Sequence, residues 1–413
     1  MLIKCNDKNT SIDESSFKIY EKEYGEMITR EIQDETMKAI DQIPFIKNLI
    51  SPDRSYASML KRYSNPNEAK LEELIEDPKG RIRVDLANPH ILEGMRYFTA
   101  TRDNYEKTGK FTAFRPSNNP KSDYRKFWKQ EIKRCWYGYV RESDGEWISG
   151  NNYFYWNFGI IMVAVTVKGT KRSDRASLPP SLYDGDYWFF HYLERARDQG
   201  KHTAVLKARG LGYSFKGAAM LGRNFVLGEN YTARSKTNNI ALANEKEYLI
   251  KDAILNKFTE NLDFLSDTTP FPSRRDSKNT LNGMHWIMSY FKGDSKTEYG
   301  TKNQVMGVTL KNDPEKARGK RSNLIIWEEA GKFDSFLKAW GIARPSVEHN
   351  GYAFGIMLAF GTGGTEGAAF DGLKEIFYKP VGYNILPITN VFDKGAKAES
   401  LCSFFHGRYL NYE

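Results

Sequence analysis

"LKARGLGYSF", residues 206–215, is the stretch on which the fold turns. It follows the phosphate-loop pattern G-x-x-x-x-G-K-[ST] except at one place: Tyr213 stands between Gly212 and Ser214 where the lysine belongs. On its N-terminal side "TAVLK" reads as a short buried strand, and on its C-terminal side "SFKGAAMLGRNFVLG" reads as a helix opening at Ser214. Strand, glycine-bearing loop and helix is the context a phosphate loop needs, because helix N-terminal amides and close-approaching glycines supply most of the cradle. A cation must still reach the phosphates. Lys207 and Arg209 flank the turn and can supply it, while Ser214 would set its hydroxyl on Mg²⁺. The expected binding set is Lys207, Arg209, Gly210, Gly212, Tyr213, Ser214 and Phe215. A Gly-x-Gly turn beside a lysine that binds nothing is the competing reading of these residues taken alone.

Two later segments fit the same chemistry. In "SNLIIWEEAGKF" an apolar strand, Leu324 to Trp327, delivers Glu328 and Glu329 to its C-terminal end, where open α/β sheets bind ligands. Glu328 would hold the metal, directly or through water, and Glu329 would orient and deprotonate the attacking water. Aspartate is the conventional metal residue, so Glu328 is a departure; the pair by itself also reads as a solvated helix start. In "AFGTGGT", Thr362 ends a further strand, where a polar residue can sense the γ-phosphate and pass its loss to neighbouring elements; alone, such a run is a turn.

The rest of the chain sets bounds. Its 413 residues suffice for two or three domains, and 40% hydrophobic with 14% aromatic residues excludes global disorder. A net charge of +9 suits a phosphate-rich partner. Cys5, Cys135 and Cys402 are scattered and lack metal-ligand spacing, which points to a reducing compartment without a disulfide framework or zinc site. No apolar stretch approaches the ~20 residues of a membrane span, and the N-terminus lacks a signal core.

Along the chain, residues 1–110 read as a charged, mainly helical region, with Met27, Ile28, Ile32, Met37, Ile40 and Ile43 at helical spacing. Residues 111–180 are dense in aromatics, arginines and lysines. They read either as a packed aromatic subdomain or as a base-stacking, adenine-facing surface. Residues 181–385 alternate helices with apolar strands: "DYWFFHYLERARDQG" is a helix ended by Gly200, and "MHWIMSYF", "NLIIW" and "AFGIMLAFG" are buried strands. The fold class expected is α/β with a mostly parallel central sheet flanked by helices. Residues 386–413 read as a linker.

As a set, these motifs resemble the ATPase portion of the large terminase subunit, the DNA-packaging motor of tailed phages. "KARGLGYS" is similar to deviant phosphate loops of that family, with lysine at the front and Gly-Tyr-Ser at the end; "IIWEEAG" is similar to its acidic motif and "FGTGG" to its coupling motif. The resemblance implies a P-loop NTPase of the RecA-like (ASCE) class, with Lys207 as the displaced lysine and Arg209 as the loop arginine. It implies Glu328 at the metal position, Glu329 as catalytic carboxylate and Thr362 as coupling residue. "KARGKRSN" is similar to an element preceding the acidic strand in these motors, which makes Arg318 a candidate phosphate sensor or mobile-loop residue, with an ordinary surface arginine the alternative. ATP and Mg²⁺ are the implied substrate and cofactor. Double-stranded DNA, a portal protein and a small terminase subunit are the implied partners, with a homo-oligomeric ring on the procapsid and a monomer in isolation. The implied location is the host cytoplasm and, transiently, the portal vertex.

Two features depart from the family pattern. Tyr183 to Trp188 occupies the place of its adenine motif without a glutamine, and no cluster of aspartates follows the coupling motif. The expectation is a chain whose nuclease domain is truncated or separately encoded; metal-dependent cutting of plasmid DNA by the purified chain would contradict it. Two other functions fit the same residues: a helicase-like translocase of another lineage, which should carry paired RecA-like domains, and a non-hydrolysing DNA- or capsid-binding protein with a degenerate loop. Cations in "SKTEYGTKNQ" (295–304) and "PSRRDSKN" (272–279) could line a DNA channel or form solvated faces.

Overall fold

Alternate residues of the run "NLIIW" enter two different cores. Leu324 and Ile326 join one hydrophobic cluster, Ile325 and Trp327 the other, as the period of two in a strand buried on both faces requires. In the computed structural model the described residues are 99–140, 147–166, 173–228, 236–272, 284–291, 298–319, 321–363, 368–390, 392–397 and 400–408. The helical expectation for residues 1–98, Cys5 and nearly all of 272–279 lie outside them.

Seven strands form the central sheet: β1 (Thr203–Lys207), β2 (Asn238–Ala243), β3 (His285–Ile287), β4 (Gln304–Thr309), β5 (Leu324–Trp327), β6 (Ile356–Thr362) and β7 (Phe404–His406). Their order is β7-β1-β6-β5-β2-β4-β3, parallel throughout except for β3 against β4. The chain is therefore a mixed α/β protein with a mostly parallel sheet, as expected. The strand that carries Thr362 is inserted between the loop strand β1 and the acidic strand β5, so the three motif-bearing strand ends lie side by side.

Register sets the height of the site. Thr362 and His406 both pair with Lys207, on either side of β1, and Trp327 pairs with Ala359 and Leu242. Strand β7 falls inside the stretch read as a linker; residues 404–406 are an edge strand instead, because Ala208 N–H donates to the His406 carbonyl and Phe404 stacks on Tyr192 with ring centroids 5.5 Å apart.

Helices cover both faces. On one lie α1 (Ala100–Thr108), α2 (Asp123–Tyr137), α3 (Gly150–Phe158), α4 (Asp184–Asp198), α5 (Tyr213–Leu227) and α6 (Ile254–Thr268). On the other lie α7 (Phe336–Ala343) and α8 (Ala368–Tyr378). Helix α4 keeps Asp184 and Asp186 in its first turn and Arg195 and Arg197 in its last, matching the helix dipole at both ends.

The aromatic-rich region packs rather than displays its rings. Trp128, Trp136, Tyr153, Phe154, Trp156 and Phe158 are buried in the same cluster as Val205 and Phe225. Polar ties hold it there: Arg223 of α5 donates to the Cys135 carbonyl at 2.6 Å, and Asn261 of α6 donates to the Phe158 carbonyl at 2.8 Å. These six rings have no free face for a base, and of the two readings open from sequence the packing one describes them. Among the described residues no helix is long and apolar enough to cross a membrane.

Candidate functional site

The loop between β1 and α5 opens with two left-handed glycines, Gly210 at φ 79° and Gly212 at φ 69°, a conformation that side chains with a Cβ rarely tolerate. Gly212 is also the N-cap of α5. No side chain caps this helix, and no carboxylate stands in its first turn. A fifteen-residue helix thus presents unsatisfied first-turn amides and the positive end of its dipole at the loop, which favours an anion.

Four expected residues of the acidic and loop motifs meet here in two pairs. Ser214 Oγ donates to Glu328 Oε1 at 2.5 Å, and Lys207 Nζ lies 3.1 Å from Glu329 Oε1. The backbone explains the divergence of the adjacent carboxylates: Glu329 takes the left-handed conformation, φ 49° and ψ 56°, at the strand end. Such strain in a non-glycine residue persists only where its surroundings impose it, and it marks functional positions. The acidic turn also presses on β6. A Cβ on Gly361 would stand 2.9 Å from Gly331 N and 3.3 Å from Ala330 N, so only glycine allows that approach. Thr362, the next residue, is half-buried at the same strand end.

Other expected residues sit differently. Tyr213 does not face the loop mouth: its ring is buried, and its hydroxyl meets His406 Nδ1 at 2.8 Å. The side chain in the lysine's place anchors the loop to β7, which leaves only the Tyr213 backbone for a phosphate. Phe215 is half-buried beneath Lys257 Nζ, 4.8 Å from the ring centroid. The Arg209 side chain is exposed at the mouth. Arg318 is an exposed residue paired at 2.9 Å with Glu315, three residues back, and among the described residues no contact joins it to Lys207, Glu328 or Glu329.

Sequence reasoning missed Lys216, Asp186, Lys257 and Arg408. Lys216 and Asp186 form an ion pair of 2.8 Å with both side chains 1% exposed, directly beneath the loop. Burial pushes Asp186 up and Lys216 down, while the charge of each partner opposes the shift in the other. The only sequence signal for Lys216 was its place one turn into the helix after Tyr213.

Electrostatics single out Glu328. Burial raises its carboxyl to about 7 and the neighbouring Glu329 charge adds to this, against the Ser214 hydrogen bond, Lys207 and Lys257. Its Oε2 is buried without a hydrogen-bond partner. A bare carboxylate oxygen beside a serine hydroxyl suits a hard divalent cation such as Mg²⁺, which takes a hydroxyl, a carboxylate and phosphate oxygens and needs few protein ligands. Among the described residues no group of three or more His, Cys, Asp or Glu could hold a metal by itself.

A pH dependence follows. The folded-state value lies above the ordinary 4.5, so the penalty on stability is absent below 4.5 and complete above about 7. Stability should fall as pH rises through that window, by about 3 kcal/mol from this group. Thermal unfolding in a chelator should show the decline, and Glu328→Gln should remove this group's share of it.

No family model and no curated protein matches the chain. Solved structures do: the large terminase ATPase domain of Thermus phage P74-26 in a mutant form, at 12% identity and TM-score 0.35, covering 52% of this chain and 78% of that one. The chain resembles the ATPase domains of phage large terminases. The P74-26 domain in a second structure matches at 13% identity and TM-score 0.34, over 55% of this chain and 85% of that one. The bacteriophage HK97 large terminase matches at 16% identity and TM-score 0.34, over 60% of this chain and 45% of the HK97 chain.

Proposed function

We propose that the chain is an Mg²⁺-dependent ATPase of the terminase large-subunit kind, in which hydrolysis drives movement of double-stranded DNA into a procapsid. One observation carries the nucleotide part: Lys207, Ser214, Glu328 and Glu329 converge at the open N-terminus of α5 through the contacts Lys207–Glu329 and Ser214–Glu328. DNA, portal protein and small subunit as partners, a ring on the procapsid, and the portal vertex of a cytoplasmic procapsid as the place of action belong to this proposal and rest on the motif resemblance. So do residues 181–385 as the ATPase core, to which β7 adds its edge strand, and Arg318 as a phosphate sensor.

Each residue has a task that its position allows. The amides of Gly210, Gly212, Tyr213, Ser214 and Phe215 lie on the loop and first turn of α5 and would bind the phosphates, with Arg209 reaching them from the rim. Ser214 and Glu328 would hold the metal, which would supply charge neutralisation for the triphosphate. Lys207 has two possible partners. It is paired with Glu329; a triphosphate would compete for the ammonium and so free Glu329 to take a proton from water. The base is thus held idle until substrate is present. Loss of the γ-phosphate would be felt at Thr362, whose strand abuts the turn carrying Glu329 at Gly361.

Steady-state phosphate release by the full chain with Mg²⁺, alone and with DNA and portal, tests the proposal. Absence of hydrolysis under all of these conditions would favour the reading as a non-hydrolysing DNA- or capsid-binding protein.

A further inference from the structure

Two carbonyls of the loop are held by cations that the phosphate-loop pattern does not contain. Arg408, two residues beyond β7, sets Nη2 3.3 Å and Nε 3.4 Å from the carbonyl oxygen of Arg209. The same Nη2 lies 3.6 Å from where a Cβ on Gly210 would stand. From the buried side, Lys216 donates to the carbonyl oxygen of Leu211, and its charge is matched by Asp186. Lys216 Nζ also lies 3.8 Å from the Cβ position of Gly212. The loop is therefore held at two carbonyls, by Arg408 just beyond β7 and by Lys216 of α5.

A trans peptide sets its C=O and N–H on opposite sides of the chain. Holding the Arg209 carbonyl toward Arg408 turns the Gly210 N–H away from Arg408, and holding the Leu211 carbonyl toward Lys216 turns the Gly212 N–H away from the core. Glycine peptides rotate freely without such restraint, and a carbonyl turned toward a triphosphate would repel it. We propose that Arg408 and Lys216 are positioning residues for nucleoside triphosphate binding, holding two loop carbonyls away from the phosphate position so that the amides of Gly210 and Gly212 are left to face the phosphates. Tyr213 allows this division of labour: anchored on His406, it leaves the space beneath the loop to the Lys216 ammonium, which lies 4.7 Å over its ring. The inference rests on the nucleotide-site reading above.

The test uses the full chain in four forms: wild type, Arg408→Ala, Arg408→Lys, and the double variant Lys216→Met/Asp186→Asn. The double variant removes both members of the buried pair and so leaves no uncompensated charge. Two quantities are measured: KM and kcat for MgATP, and hydrogen exchange of the loop peptide without nucleotide. Arg408→Ala should raise KM about tenfold while kcat falls much less, the loss of a charge-assisted contact that acts in binding. Arg408→Lys should recover most of that loss, and the double variant should raise KM at least as far. Wild-type KM in both Arg408→Ala and the double variant overturns the inference. If the wild-type chain turns over no ATP, the nucleotide-site reading fails by itself, and exchange decides the inference: faster exchange of the loop amides in both variants sustains the carbonyl restraint, and unchanged exchange overturns it.

Discussion

Replacing Glu329 by glutamine is expected to lower ATP turnover by roughly 10²- to 10⁴-fold, the range for removing a general base. Nucleotide affinity should hold or rise, because the amide no longer competes with phosphate for Lys207, whose Nζ now lies 3.1 Å from the Glu329 carboxylate. The two effects separate Glu329 from a residue that only shapes the site, since a distorted loop would weaken binding as well. The change leaves packing alone: the Glu329 side chain is 25% exposed, so its replacement buries no unpaired group. Phosphate release and the Kd of an ATP analogue, measured on the same preparation, make the test. Wild-type turnover in Glu329→Gln would falsify its role as the base and reduce the acidic pair to a solvated turn.

The second large effect is expected at Lys207. Loss of a charged hydrogen-bond donor to phosphate should weaken ATP binding roughly 10- to 100-fold in Lys207→Ala. The same change at Arg209 should cost less. Lys207 ends β1 level with Thr362 and His406 and is 9% exposed, so its ammonium is already directed at the site; Arg209 is exposed at the rim and must order a long side chain to reach the phosphates. In the Glu329→Gln background the Lys207→Ala penalty should grow, because in the wild type part of the lysine's phosphate contact is offset by the broken ion pair. Should Lys207→Ala and Arg209→Ala both bind the nucleotide as the wild type does, the triphosphate is held by something other than this loop's cations.

Several parts of this arrangement are legible in the sequence alone. The strand "TAVLK", the helix after Ser214 and the acidic end of "NLIIW" follow from local features: apolar runs of strand length, glycines at a tight turn, and charge at an element's end. Each is settled by neighbours within a few positions. Strands β2 and β4 were not read as strands, since "NNIALA" opens on two asparagines and "QVMGVT" carries a glycine. Asn239 is acceptable there because its side chain is satisfied across the sheet, donating to the Gln304 carbonyl at 2.9 Å and accepting from Asn224 at 2.9 Å.

The sequence by itself determined the identity and order of the motif-bearing elements, and with them the chemistry on offer: glycines, a hydroxyl, two carboxylates and two cations along three strand ends. Only the tertiary structure decided which of these groups meet. Lys207 faces Glu329, 122 positions away; Tyr213 turns inward to His406, 193 positions away; and Arg408 reaches a carbonyl 199 positions back. Those pairings depend on strand order and register, which place β6 and β7 on either side of β1, and no local pattern encodes which distant strand becomes a neighbour.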